Sequence, residues 1–173
     1  VYEKEHGTLK RIRLSTASTW SLLTGKIISC LSILTISQFL LVAAALLLIN
    51  PRVYWKMDLI PLILAGDFAA ISIGLLIAEA SPSERGAAQA STVAAVFLQF
   101  ITGLYFPLYM LPEPVRSISS LLPFTRIQQS LLSILLAGKG LIDVFGDFLY
   151  LVATGLVLQA LATYFFSKWS RSV

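Results

Sequence analysis

Four long stretches of this 173-residue chain are free, or almost free, of charge, and no other feature limits its fold so strongly. Ile27–Pro51, Gly86–Pro112 and Phe148–Ser167 contain no Asp, Glu, Lys or Arg, and Leu59–Ala78 is interrupted only by Asp67. A helix needs about 20 predominantly apolar residues to cross a hydrocarbon core of about 30 Å. Each stretch is long enough. In lipid the backbone must satisfy its own polar groups, which leaves helices as the crossing element for runs of this kind. The expected fold is therefore all-α, a polytopic membrane bundle with four transmembrane helices at 20–50, 59–79, 87–111 and 147–168.

Composition closes the other classes. Only 13% of the residues are charged and 57% are hydrophobic, whereas a soluble domain carries about 25% charged residues to coat its surface. The net charge of +4 comes from basic residues scattered between apolar runs. They line no face that would bind nucleic acid. The one cysteine, Cys30, lies inside an apolar run and excludes a disulfide framework, a thiolate zinc site and a Cys-x-x-Cys redox pair. His6 is the one histidine and sits in a charged segment, so no metal site is expected. No signal peptide is visible at the start.

Residues 113–140 are too apolar for a solvated loop, and the uncharged run Ile127–Gly138 is too short to cross. With Phe106, Pro107, Pro112, Pro114 and Pro123 punctuating this region, short re-entrant or external helices before the last span are expected, because proline removes a backbone donor and breaks helices. Lys4, Lys10, Arg11, Arg13, Lys26, Arg85, Lys168 and Arg171 outnumber the basic residues of the opposite flanks. The positive-inside rule then places both ends of this multi-pass chain on the cytoplasmic side, and the plasma membrane is the expected location.

Residues 1–19 are dense in charge. Leu9 and Ile12 are three apart and share a helical face, with Lys10, Arg11 and Arg13 around them. Such a helix either lies on anionic lipid or docks on a cytoplasmic partner. The run Glu5-His6-Gly7-Thr8-Leu9-Lys10-Arg11-Ile12-Arg13-Leu14-Ser15, followed by Leu22-Leu23-Thr24-Gly25-Lys26, resembles the cytoplasmic segment of type 2 permeases, the membrane subunits of ATP-binding-cassette exporters. Thr16 stands where that family usually has Pro, and Ile12 replaces a frequent Leu. Gly103-Leu104-Tyr105-Phe106-Pro107-Leu108-Tyr109-Met110-Leu111-Pro112, then Arg116 and Leu121-Leu122-Pro123-Phe124-Thr125, is similar to the family's signature between its fifth span and its short external helices. Ala78 to Ala90 is similar to its cytoplasmic turn between spans four and five.

The resemblance implies that the four spans correspond to spans three to six of a six-span subunit, with the first two upstream of Val1. It implies that Glu5, Gly7, Thr8, Leu9, Lys10, Arg11, Ile12 and Arg13 form an amphipathic coupling helix seated on a nucleotide-binding ATPase subunit. It also implies a second permease copy or homologue as partner, with the lipid bilayer as solvent. ATP and Mg would belong to the ATPase subunit. Gly25-Lys26 is no phosphate loop, since Trp20 stands where the first glycine is required and Ile27 replaces Ser or Thr. No cofactor and no enzymatic activity are expected of this chain itself.

Polar residues at membrane depth are the remaining candidates. Asp67 lies 8 residues after Leu59, about 12 Å along a helix, where an ionised carboxylate needs a partner or water. Asp67, Gln38 and Gln99 are the candidates for a translocation path, with interhelical hydrogen bonding by Gln38, Gln99 and Gln159 as the plainer use. Asp143, Asp147 and Glu113 read as helix caps. An ATP-independent channel or carrier using Asp67 is the alternative function. An intramembrane enzyme finds no second intramembrane carboxylate and no nucleophile elbow.

Overall fold

The structure, a computed structural model, describes residues 19–49, 54 and 56–171. The expected coupling segment, Glu5 to Arg13, lies outside these residues. Among the described residues there are six α-helices and no strand. They are α1 (Thr19–Ile49), α2 (Leu59–Ala80), α3 (Glu84–Ile101), α4 (Glu113–Ser120), α5 (Pro123–Ala137) and α6 (Phe145–Arg171). Short 3-10 turns occupy Leu108–Met110 and Leu141–Val144. The chain is a polytopic helical bundle, as its uncharged runs dictate.

Local chemistry sets the helix ends. α3 starts at Ser83, whose hydroxyl accepts the Gly86 N–H at 3.1 Å, and Glu84 adds negative charge to the first turn. Pro114 and Pro123 stand in the first turns of α4 and α5, where a missing N–H costs nothing. α5 ends on Gly138, whose φ of 66° lets the Gly138 and Lys139 amides turn back to the carbonyls of Ile134 and Ser133.

α2 is the centre of the bundle. Leu59, Leu62, Ile63 and Ala65 pack with Ile134 of α5 and with Val144 and Leu151 around the start of α6. α6 lies along α2 and runs parallel to it: Gly155 meets Phe68 and Ala69, and Gln159 meets Ser72 one turn further on. α5 is antiparallel to α2, with Ile127 against Gly66 and Ile134 in the cluster with Leu59 and Leu62. Two glycines allow these approaches. A Cβ at Gly155 would stand 2.6 Å from Phe68 Cδ1, and one at Gly66 would overlap the end of the Ile127 side chain.

By length and composition, three stretches of the described residues suit a membrane crossing, Thr24–Ala44, Leu59–Ala80 and Leu141–Phe166. The expected span 87–111 differs. Its helix, α3, stops at Ile101, and Gly103 takes a φ of 88° that no continuing helix allows. Since α6 runs parallel to α2, the chain must return between them, and it does so in two pieces: α3, and then α5, which starts opposite Gly66 near the middle of α2 and ends beside Leu59. A composition scan cannot see this break, because Gly86–Pro112 is uncharged throughout.

Candidate functional site in the polar contacts of the bundle

A largely apolar bundle concentrates its specificity in its few polar contacts. Among the described residues, the main polar contacts between elements form three groups.

The first lies between α1 and α2. Asp67 is 4% exposed. Its two carboxylate oxygens accept from Gln38 Nε2 at 2.6 Å and from Thr35 Oγ1 at 3.2 Å. Thr35 and Gln38 are three apart, so α1 presents both to α2 from one face. Ser29, Ser32 and Ser37 of the same helix instead donate to the carbonyls four residues back, at 2.7 to 2.9 Å, the usual local use of a hydroxyl inside a helix. Thr35 reaches across. Further along α2, the buried Ser72 hydroxyl bonds the Phe68 carbonyl at 2.8 Å and lies 3.4 Å from Gln159 Oε1 on α6.

The second group heals the break after α3. Backbone groups freed at membrane depth need partners, and here side chains supply them. Ser119 Oγ donates to the Ile101 carbonyl and lies 3.3 Å from Thr125 Oγ1. Gln128 Nε2 donates to the Gly103 carbonyl at 3.2 Å, Arg126 Nε to that of Ser120 at 2.9 Å, and Tyr150 OH to that of Leu121. Ser119, Thr125 and Thr102 are buried. Gly103 is the hinge of this arrangement: a Cβ there would stand 3.0 Å from Leu108 Cγ at a φ of 88°. Gly103→Val is accordingly expected to destabilise the protein by at least about 1–2 kcal/mol, the strain of a side chain in the left-handed region, read as a lowered unfolding midpoint in detergent.

The third group gathers where α2 and α6 begin and α5 ends. Lys56 Nζ donates to the Gly138 carbonyl and, at 3.2 Å, to that of Lys139, a cation at the negative end of α5. Asp58 Oδ2 accepts the Leu141 amide at 3.0 Å, and Asp143 Oδ2 accepts the Gly140 amide at 2.8 Å. The Tyr54 amide donates to the Leu135 carbonyl at 2.9 Å, and its ring packs on Gly138. Just inside, Arg126 pairs with Asp147 at 3.0 Å and lies 5.5 Å from the Tyr150 ring centroid. Ser130 Oγ donates to the other Asp147 oxygen at 2.8 Å. Asp147 is thus an ion-pair partner of α5, beyond the capping role its position suggests.

Of the residues singled out from sequence, Asp67 and Gln38 come together. Gln99 does not join them: it accepts the Tyr105 hydroxyl at 2.9 Å, beside the break. Phe106, Pro107 and Pro112 are exposed on the connection from α3 to α4, and Pro123 is buried at the start of α5. Thr35 carried no signal in the sequence. Arg126 counted there only among the basic residues of the opposite flanks.

A family model described as ABC-2 family transporter protein matches residues 1–164 of the chain. No curated protein sequence and no solved structure matches it.

Proposed function

The chain belongs to the ABC-2 transporter family, and from that premise we propose that it is the membrane-spanning permease of an ATP-driven exporter, coupled to a separate nucleotide-binding subunit. The family match, running from the charged N-terminal segment through most of α6, is the observation that carries this reading. The long apolar helices support it: the chain is a membrane protein whose described residues form a bundle. ATP and Mg are assigned to the ATPase subunit, and no catalysis to this chain. Glu5, Gly7, Thr8, Leu9, Lys10, Arg11, Ile12 and Arg13 are assigned the docking role. A short charged helix continued into a long span can carry rigid-body motion from an ATPase into a membrane bundle. A second permease copy completes the transporter, and the plasma membrane with both ends of this chain cytoplasmic is its proposed setting.

The test is co-purification of the full protein with candidate nucleotide-binding subunits. The native protein is expected to retain its ATPase subunit, and Lys10→Glu/Arg11→Glu/Arg13→Glu to lose at least about tenfold of it, equivalent to about 1.4 kcal/mol of binding. Equal retention by both proteins removes the docking role. Ion-driven flux in liposomes free of any ATPase would favour the carrier reading instead.

A further inference from the structure

Three consecutive residues of α2 touch three different helices. Gly66 faces Ile127 of α5, Asp67 accepts from Thr35 and Gln38 of α1, and Phe68 packs on Gly155 of α6. Consecutive helical residues point about 100° apart, so these contacts radiate from one turn at one height. That turn is the crossing point of the bundle.

The contacts differ in kind. Those to α5 and α6 are close apolar packing over glycine. The one to α1 is polar, and it stands out because α1 buries little of its surface among the described residues. No residue in the apolar window Thr24–Ala44 is buried within the chain. Ile28, Ile33, Ile36, Leu40 and Leu41 are all well exposed. α2 is the main helix it packs on. Apolar contact is non-directional and lets one helix turn or slide on another. Two hydrogen bonds from donors three residues apart fix both rotation and height, because each weakens steeply when its angle or distance is lost.

We propose that the Asp67 carboxylate, gripped by Thr35 and Gln38, is the joint that passes displacement of α1 to α2 and, within the same turn, to α5 and α6. Asp67 is a positioning residue here, acting through the helices it joins. The direction of transmission rests on the reading of residues 5–13 as the coupling segment, since α1 is the helix that follows them.

The full protein with its ATPase subunit, in nanodiscs, tests this. Cys30 is exchanged for serine, and spin labels are attached at Ile36→Cys on α1 and Val157→Cys on α6, both exposed positions, in one permease copy with the other left unlabelled. Distances are measured without nucleotide and with ATP, Mg and vanadate. The otherwise native protein and Asp67→Asn, which keeps an acceptor for Gln38 and a polar partner for Thr35, are expected to give one narrow distribution unchanged by nucleotide. Thr35→Val/Gln38→Leu is expected to broaden it without nucleotide, and to shift its centre by about 1 to 5 Å with nucleotide, the scale of helix shifts at moving interfaces.

The proposal is overturned if the double variant stays as narrow as the native protein in both states. It is also overturned if Asp67→Asn broadens as the double variant does, because charge rather than hydrogen-bond geometry would then be what matters. Broadening without any nucleotide-dependent shift overturns instead the reading of residues 5–13 as the input, leaving the joint itself in place.

Discussion

Gly155→Leu is expected to prevent recovery of folded protein from the membrane. The α2–α6 contact is the longest in the bundle, and at Gly155 the Phe68 ring lies where a Cβ would go, with the Ala69 Cα 3.4 Å from it. A ring edge and a backbone atom cannot swing aside as the tip of an aliphatic side chain can. Overpacking in a well-filled interior costs about 1–3 kcal/mol, occasionally more. A leucine here also forces α6 away from Phe68 and weakens the Ser72 to Gln159 contact one turn on. Gly155→Ala should show a smaller loss of the same kind. Gly66→Ala should fall below both, because the atom it meets first is the end of the Ile127 side chain. Gly74→Leu is the control: a Cβ there meets no heavy atom within 4 Å, so its effect should stay within about 0.5 kcal/mol. Yield after size exclusion in detergent and the unfolding midpoint read all four.

The second large effect is expected at Arg126. Its guanidinium holds the Ser120 carbonyl, pairs with Asp147 and lies by the Tyr150 ring, so one side chain ties the end of α4 and the start of α5 to the first turn of α6. Arg126→Leu should cost about 1–3 kcal/mol, the penalty of leaving partly buried polar groups unpaired. The pair is about a third exposed, which keeps the loss below that of a fully buried ion pair. Asp147→Leu should cost a similar amount. The double substitution should cost less than the sum, with a coupling of about 0.5–3 kcal/mol, since each single change strands the other partner. Arg126→Lys should rescue little, because an ammonium lacks the fork that reaches a carbonyl and a carboxylate together. Strict additivity would mean that the two side chains act independently.

Charge-free runs made α1, α2 and α6 legible, because a helix in lipid is dictated by length and apolarity. α3 was not. Its termination turns on a single backbone dihedral at Gly103, and Thr102-Gly103-Leu104 is as uncharged as what precedes it. Asp67 announced itself by its depth, and Gln38 by being polar in an apolar run. Their pairing depends on the register of α1 against α2, which neither helix's own pattern contains. Thr35 was invisible for a related reason: in a helix a hydroxyl ordinarily satisfies itself on its own backbone, as Ser29, Ser32 and Ser37 do. Arg126 and Asp147 are 21 residues apart and meet only because α5 doubles back against the start of α6.

The end of the bundle where α2 and α6 begin also has an electrical consequence. Two parallel helices direct their positive ends to the same place, and α5 brings its negative end there. Side chains match this arrangement, with Asp58, Asp143 and Asp147 near the starts of α2 and α6 and Lys56 at the end of α5. Counting Arg126 and Lys139 with Lys56, these six groups sum to zero formal charge. Among the described residues, then, these six side chains add no net charge at this end of the bundle. Steering by net charge, which draws ions toward a cluster of the opposite sign, is not something these six balanced groups supply.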